Sequence, residues 1–204
     1  MYPLIKTYID SLTKEFLSIP EKRKDILENI TNYIAKKQAT GSAINLVYIC
    51  THNSRRSHFG QVWAHVAASY YGIKNVNTYS GGTEATAFNS NAISALKRIG
   101  FNIKAIDTDK NTRYRVFHDD KESPSVCFSK TYDAATNPQK EFAAIMTCSD
   151  AEENCPFIPG VELRIATTYD DPKAFDNTPQ QDAKYDERCK QIALETLYAF
   201  SLVK

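Results

Sequence analysis

The 204-residue chain has no stretch of about 18 apolar residues, the length a membrane-crossing helix needs. Its opening, MYPLIKTYID, carries Lys6 and Asp10 where a secretory signal needs an unbroken apolar segment, so a soluble, cytoplasmic protein is expected. An excess of charge is also missing, since 25 Lys and Arg stand against 24 Asp and Glu. That balance excludes the broad electrostatic footprint of a nucleic-acid or anionic-membrane binder, so any anion specificity has to be local. The KRKD run from Lys22 and the KNTRYR run from Lys110 are too short to change this and read as solvated faces. Five cysteines, an odd number without an export signal, argue against a disulfide scaffold and for thiols kept reduced or used chemically. His58, His65 and His118 show no ligand spacing, and no metal site is expected.

What is present is an alternation of helix and strand patterns. Leu4, Ile5, Tyr8, Ile9, Leu12 and Phe16 recur at helical spacing, and SIPE, from Ser18 to Glu21, reads as a capping box opening a second helix that buries Ile26, Leu27, Ile30 and Ile34. These two helices form an N-terminal extension over 1–42, expected to pack in cis on the domain spanning 43–204 because the ATGS linker has little reach. That domain begins with a strand at 44–49, a helix from about Ser57, a short strand at 75–80, the loop SGGTEATAFN, and a helix over 90–99 that Gly100 terminates. YRVFHDDKESPSVCFSKTY alternates on either side of a turn signal and reads as a β-hairpin inserted over about 113–133. FAAIMT and VELRIAT give two more strands with a short polar helix between them. The closing helix is expected to start at TPQQ, with Thr178 as N-cap and Pro179 at the first helical position. Cys189 lies on its apolar stripe and Cys127 in the hairpin, and both read as packing residues. The whole is an α/β fold, a four-stranded parallel sheet with helices on both faces.

In such sheets ligands sit outside the carboxyl ends of the strands. INLVYIC ends there, at Cys50, followed by THNSRRS. A loop leaving a parallel strand and entering a helix presents backbone N–H groups and the positive end of the helix dipole, a ready anion site over Thr51, His52, Asn53, Ser54, Arg55 and Arg56. The same field favours a thiolate, so Cys50 is expected to be a low-pKa nucleophile. Arg56 can grip a tetrahedral oxyanion through two parallel hydrogen bonds, and Ser57 can donate a hydroxyl to the thiolate. The plainer alternative is a buried cysteine ending a strand.

CTHNSRRS resembles the C-x5-R-S phosphate-binding loop of the low-molecular-weight protein tyrosine phosphatase superfamily. The resemblance implies the phosphotyrosine phosphatase I-like fold. It also implies that Asn53 braces the loop, that Ser80 in SGGTEATAFN steadies Asn53 and the loop, and that Asp171 of YDDP is the general acid. MTCSDAEENCP, with Cys148 and Cys155, resembles the redox segment of the thioredoxin-coupled arsenate reductases, which implies a Cys50–Cys148–Cys155 relay recycled by thioredoxin. A structural disulfide fits a reducing compartment poorly, and zinc fits the spacing poorly. SDAEEN, without an apolar stripe, suits a segment that must unwind. Three departures stand out. Arg55 replaces a loop cysteine common in those reductases, His52 replaces a usual small residue, and Gln61 stands where some members have a glutamate that helps bind potassium, which counts against a potassium site. The resemblance implies arsenate or phosphate as the bound oxyanion, thioredoxin as source of reducing equivalents, and no other cofactor. The alternative is hydrolysis of phosphotyrosine or small phosphoesters by Cys50, Arg56 and Asp171 alone.

Overall fold

The computed structural model of the chain describes residues 1–154 and 157–203; Cys155 lies outside the described residues. Its elements run α1 (Pro3–Leu12), a 3-10 turn at Thr13–Ser18, α2 (Glu21–Ala39), β1 (Ile44–Cys50), α3 (Arg56–Tyr71), β2 (Val76–Gly82), α4 (Ser90–Ile99) and β3 (Asn102–Ala105). There follow β4 (Tyr114–Phe117), β5 (Ser125–Cys127), β6 (Phe142–Met146), α5 (Ser149–Asn154), β7 (Val161–Ala166), a 3-10 turn at Pro172–Phe175, and α6 (Gln181–Ser201). β1, β2, β6 and β7 form a parallel sheet in the order β2-β1-β6-β7.

Alternation along β1 explains how that sheet is sandwiched, because successive side chains of a strand leave opposite faces. Ile44, Leu46 and Tyr48 enter the large core shared with α1, α2, α3, α4 and α6, where Phe59, Trp63, Tyr185 and Phe200 are fully buried. Val47 and Ile49 enter a smaller cluster with Ala151 of α5 and Ile158. Helices therefore cover both faces, unequally. Among the described residues no helix is long and apolar enough to cross a membrane.

The N-terminal helices join the large core. Ile5, Ile9 and Leu12 of α1 and Leu27, Ile30 and Ile34 of α2 are buried in it, and Thr31 Oγ1 donates to Ala199 O at 2.7 Å on α6. Each such aliphatic side chain contributes about 1.5–3 kcal/mol on burial, enough to hold two helices joined by short links. Three boundaries differ from the sequence reading. α2 has Pro20 at its N-cap with no side-chain cap, since the Ser18 hydroxyl closes the preceding turn on Glu15 O. α6 begins two residues later than TPQQ suggests, because Thr178 Oγ1 donates to Phe175 O and accepts from Gln180 N in a turn of its own. The hairpin has a third strand: β3 pairs antiparallel with β4, and β4 with β5. β5 stops at Cys127, and the chain beyond it runs along Gly82, with Gly82 N donating to Lys130 O and Tyr132 N to Gly82 O, each at 2.9 Å.

The seating of α3 on β1 rests on Gly60. A Cβ there would lie 2.2 Å from Tyr48 Cδ1, and Tyr48 is buried. Gly60→Ala is expected to cost about 1–3 kcal/mol, the range for overpacking a filled core. A denaturant midpoint equal to that of the parent chain would show that the ring has room to move.

Candidate active site

β1 delivers Cys50 to the carboxyl edge of the sheet, where residues 51–55 turn into α3. The surroundings occupy the loop's carbonyls. Thr83 N donates to Cys50 O, Glu84 N to Thr51 O, Ser129 Oγ and Thr86 Oγ1 to His52 O, Asn89 N to Ser54 O, and Phe59 N to Arg55 O. The amides are therefore what the loop has left to offer a ligand, beside the N-terminus of a sixteen-residue helix. Asn53 turns the loop at φ 43°, a conformation asparagine tolerates better than most residues. Gly82 lets the next loop lie against it, since a Cβ would meet Thr51 O at 2.6 Å and Asn53 N at 2.7 Å. The sequence reading of SGGTEATAFN as loop misses that its first three residues finish β2 and press on Cys50's loop.

The hydrogen bonds around the thiol have a direction. Lys130 N donates to Asn53 Oδ1 at 2.9 Å, which fixes the amide so that Nδ2 faces Ser57 Oγ at 2.8 Å. An amide N–H₂ only donates, so the Ser57 oxygen accepts there and its own hydrogen is free for Cys50 Sγ, 3.1 Å away. Cys50, Asn53 and Ser57 are all buried. Ser80, expected to steady Asn53, directs its hydroxyl to α3 instead. Its hydroxyl donates to Gln61 Oε1 at 2.6 Å and lies 3.2 Å from His58 Nδ1, while Gln61 Nε2 donates to Val126 O. The Ser80 hydroxyl therefore steadies α3, and burial holds His58 neutral by pushing its pKa well below the usual value.

Arg56 and Asp171 meet. Arg56 Nη2 donates to Asp171 Oδ2 at 2.7 Å and Nη1 to Tyr169 O at 2.8 Å, while Nε is buried without a partner. The two-pronged grip expected on an oxyanion is here directed at the Asp171 loop. Asp171 also caps the turn that follows it, Oδ1 accepting from Lys173 N, and Arg55 Nε stands 3.8 Å from Oδ1. Arg55 is otherwise committed to Tyr185 Oη at 2.8 Å and Asp176 Oδ2 at 3.6 Å. His52, more than a third exposed, lies 3.9 Å from Glu84. Thr51 donates to Asp150 Oδ2 at 2.6 Å, and Ser54 to Ala87 O at 2.7 Å.

Cys148 reaches the same edge through strand order. β6 lies beside β1 with Met146 opposite Ile49, and Thr147 N donates to Ile49 O at 2.7 Å. Cys148 is thus buried in one cluster with Cys50, its sulfur 3.4 Å from Thr51 Oγ1. α5 carries more anchorage than SDAEEN suggests, since Ala151 is buried and Arg164 of β7 binds Glu152 Oε2 at 2.9 Å. Cys127 and Cys189 are buried thiols pushed up to about 12, with Cys189 accepting from Trp63 Nε1.

Sequence reasoning misses the brace behind Asp171. Arg23, inside the run read as a solvated face, is instead largely buried and donates to Glu195 Oε2 through Nε and Nη2 at 2.9 and 2.7 Å and to Thr167 O at 2.7 Å. Tyr169 donates to the same Glu195 oxygen at 2.8 Å, and the Arg23 guanidinium lies 4.8 Å from its ring centre. Burial, reinforced by the Glu195 charge, raises the Tyr169 pKa well above its usual value, so the hydroxyl stays a donor. The histidines also lie otherwise than their spacing implies: His65, His118 and Glu122 converge, each offering a donor atom within 4.8 Å of the others.

No family model matches the chain. Among curated proteins, the arsenate reductase of Bacillus licheniformis is 25% identical over 158 residues, 76% of this chain and 94% of that protein. The arsenate reductase of Halalkalibacterium halodurans is 29% identical over 136 residues, 67% of this chain and 79% of that protein. Among solved structures, a low-molecular-weight phosphotyrosine phosphatase from Vibrio cholerae O395 superposes with a TM-score of 0.52 at 14% identity, covering 76% of this chain and 94% of that one. An arsenate reductase in the phosphate-binding state superposes with a TM-score of 0.50 at 12% identity, covering 79% and 99%. The chain has the low-molecular-weight phosphotyrosine phosphatase fold, and in sequence it is similar to bacterial arsenate reductases.

Proposed function

We propose that the protein is an enzyme that reduces arsenate to arsenite through Cys50, Cys148 and Cys155, with thioredoxin as reductant. The observation that carries the reading is the buried second thiol: Cys148 shares a cluster with Cys50 and hydrogen-bonds the loop through Thr51, and phosphoester hydrolysis has no use for it. The similarity to arsenate reductases supports it. Arsenate enters the cradle of loop amides, and Arg56 turns from Asp171 to the oxyanion. Cys50 thiolate then bonds to arsenic while Asp171 protonates the departing oxygen, which leaves as water. Cys148 thiolate next attacks the Cys50 sulfur. The S–As bonding pair stays on arsenic, As(V) becomes As(III), arsenite leaves, and a Cys50–Cys148 disulfide remains. Cys155 attacks the Cys148 sulfur and frees Cys50 as thiolate, and thioredoxin reduces the resulting Cys148–Cys155 disulfide. For that exchange α5 must release its hold at Ala151 and Arg164.

Hydrolysis of phosphotyrosine or small phosphoesters is the second reading, favoured by one observation: Cys50, Arg56, Asp171 and Ser57 are assembled without any help from Cys148. One experiment separates the two. Arsenate turnover is followed with thioredoxin, thioredoxin reductase and NADPH, beside hydrolysis of p-nitrophenyl phosphate. Cys148→Ser is expected to stop with arsenic on Cys50, and Cys155→Ser to release about one arsenite per enzyme and stop at the Cys50–Cys148 disulfide. Each keeps whatever hydrolysis the parent has. Full turnover by the protein carrying both substitutions would refute the relay and leave the phosphatase reading.

A further inference from the structure

The hairpin and α3 bring together a second set of chemistry-bearing side chains, none of which belongs to the relay. His65 lies on α3, His118 just past β4, and Glu122 in the turn toward β5, and one donor atom from each lies within 4.8 Å of the other two. The donors are two imidazoles and a carboxylate, the types that borderline divalent ions take. Each outer group is already held by a protein hydroxyl. Ser125 Oγ lies 2.8 Å from His65 Nδ1, and Ser69, one helical turn after His65, donates to Glu122 Oε1 at 2.8 Å. Such outer partners fix the orientation of metal ligands. Glu122 Oε2 and His118 Nε2 stand 3.1 Å apart, already near the separation of two ligands on one ion.

The site has a rigid side and an open side. His118 is 2% exposed, whereas Glu122 is nearly half exposed and His65 lines a cavity of about 460 Å3 together with Ser123, Ser125 and Lys130. An ion has a route in, and three protein ligands leave a coordination position for water.

We propose that His65, His118 and Glu122 bind one divalent first-row metal ion, Zn2+ by donor set, and that the ion clamps the inserted hairpin onto α3. The consequence reaches the active-site loop, because Ser129 and Lys130, directly beyond the hairpin, bond His52 O and Asn53 Oδ1.

The test must remove the relay thiols, which also take zinc. The full chain carrying Cys50→Ser, Cys148→Ser and Cys155→Ser is titrated with Zn2+ by calorimetry and with Co2+ by optical absorption, and its unfolding midpoint is measured with and without Zn2+. About one equivalent is expected to bind and to raise the midpoint, since a ligand that binds only the folded state stabilises it. Glu122→Gln, at an exposed position that leaves the core intact, and His65→Ala are each expected to weaken binding by about 10-fold or more and to abolish the shift. Absence of binding to the chain without the relay thiols overturns the proposal, and so does undiminished binding by either variant.

Discussion

Cys50→Ser is expected to abolish arsenate turnover and phosphoester hydrolysis together, by about 10⁴-fold or more, the scale on which loss of a covalent nucleophile is felt. The fold should survive. Serine is smaller than cysteine by little, and the partners around the position, Ser57 Oγ and through it Asn53 Nδ2, hydrogen-bond an oxygen as readily as a sulfur. The variant should therefore still bind arsenate or phosphate, because the loop amides and the helix N-terminus are untouched. Steady-state rates and an equilibrium titration with phosphate check the two halves separately. A variant that keeps more than a few per cent of either activity would remove Cys50 from the chemistry, and one that no longer binds the oxyanion would mean that the thiolate shapes the cradle.

Arg23→Ala is expected to be the most destabilising single change outside the apolar core. Arg23 and Glu195 are 16% and 5% exposed, and removing the guanidinium strands a buried carboxylate while also taking a donor from Thr167 O. Breaking a buried pair costs about 3–5 kcal/mol, and the lower end applies because Arg23 keeps some contact with water. For a chain of this length about 3 kcal/mol corresponds to a fall of roughly 10 °C in the unfolding midpoint. Activity should suffer separately. Tyr169 shares the Glu195 oxygen with Arg23, and the Tyr169 carbonyl accepts from Arg56, so the brace and the Asp171 loop move together. Glu195→Gln in the Arg23→Ala background, which removes the stranded charge, should recover part of the lost stability. An Arg23→Ala midpoint within 2 °C or so of the parent, given the scale of roughly 2–4 °C per kcal/mol, would show that Glu195 finds water or another partner.

Much of the active site was legible because its parts are close in sequence. Cys50, Asn53 and Ser57 belong to one strand–loop–helix turn, and a strand end followed by a helix start specifies their mutual geometry within a few residues. The expectation for Ser80 went astray for the opposite reason. It lies two residues short of the strand end, where the pleat turns its side chain to His58 and Gln61, and the neighbour that reaches Asn53 is the Lys130 backbone amide from beyond the hairpin. β3 escaped notice because NIKA buries none of its side chains fully, so it lacks the alternation that reveals a half-buried strand.

By itself the sequence determined the α/β alternation, the cis packing expected of the N-terminal helices, the thiol at the end of the first sheet strand and the second thiol beyond the strand FAAIMT. These follow from local periodicity, from short linkers and from the chemistry of neighbouring residues. Only the tertiary structure decided which distant groups meet. The order β2-β1-β6-β7 puts Cys148 beside Cys50, although 97 positions separate it from its hydrogen-bond partner Thr51. The docking of α2 on α6 converts Arg23 from one member of a charge run into half of a buried pair 172 residues apart. The fold of the hairpin onto α3 joins His65 to His118 and Glu122. Charge and hydropathy along a chain report the solvent preference of each residue, whereas a buried ion pair or a ligand cluster depends on two surfaces being pressed together, and strand order and helix docking decide which surfaces those are.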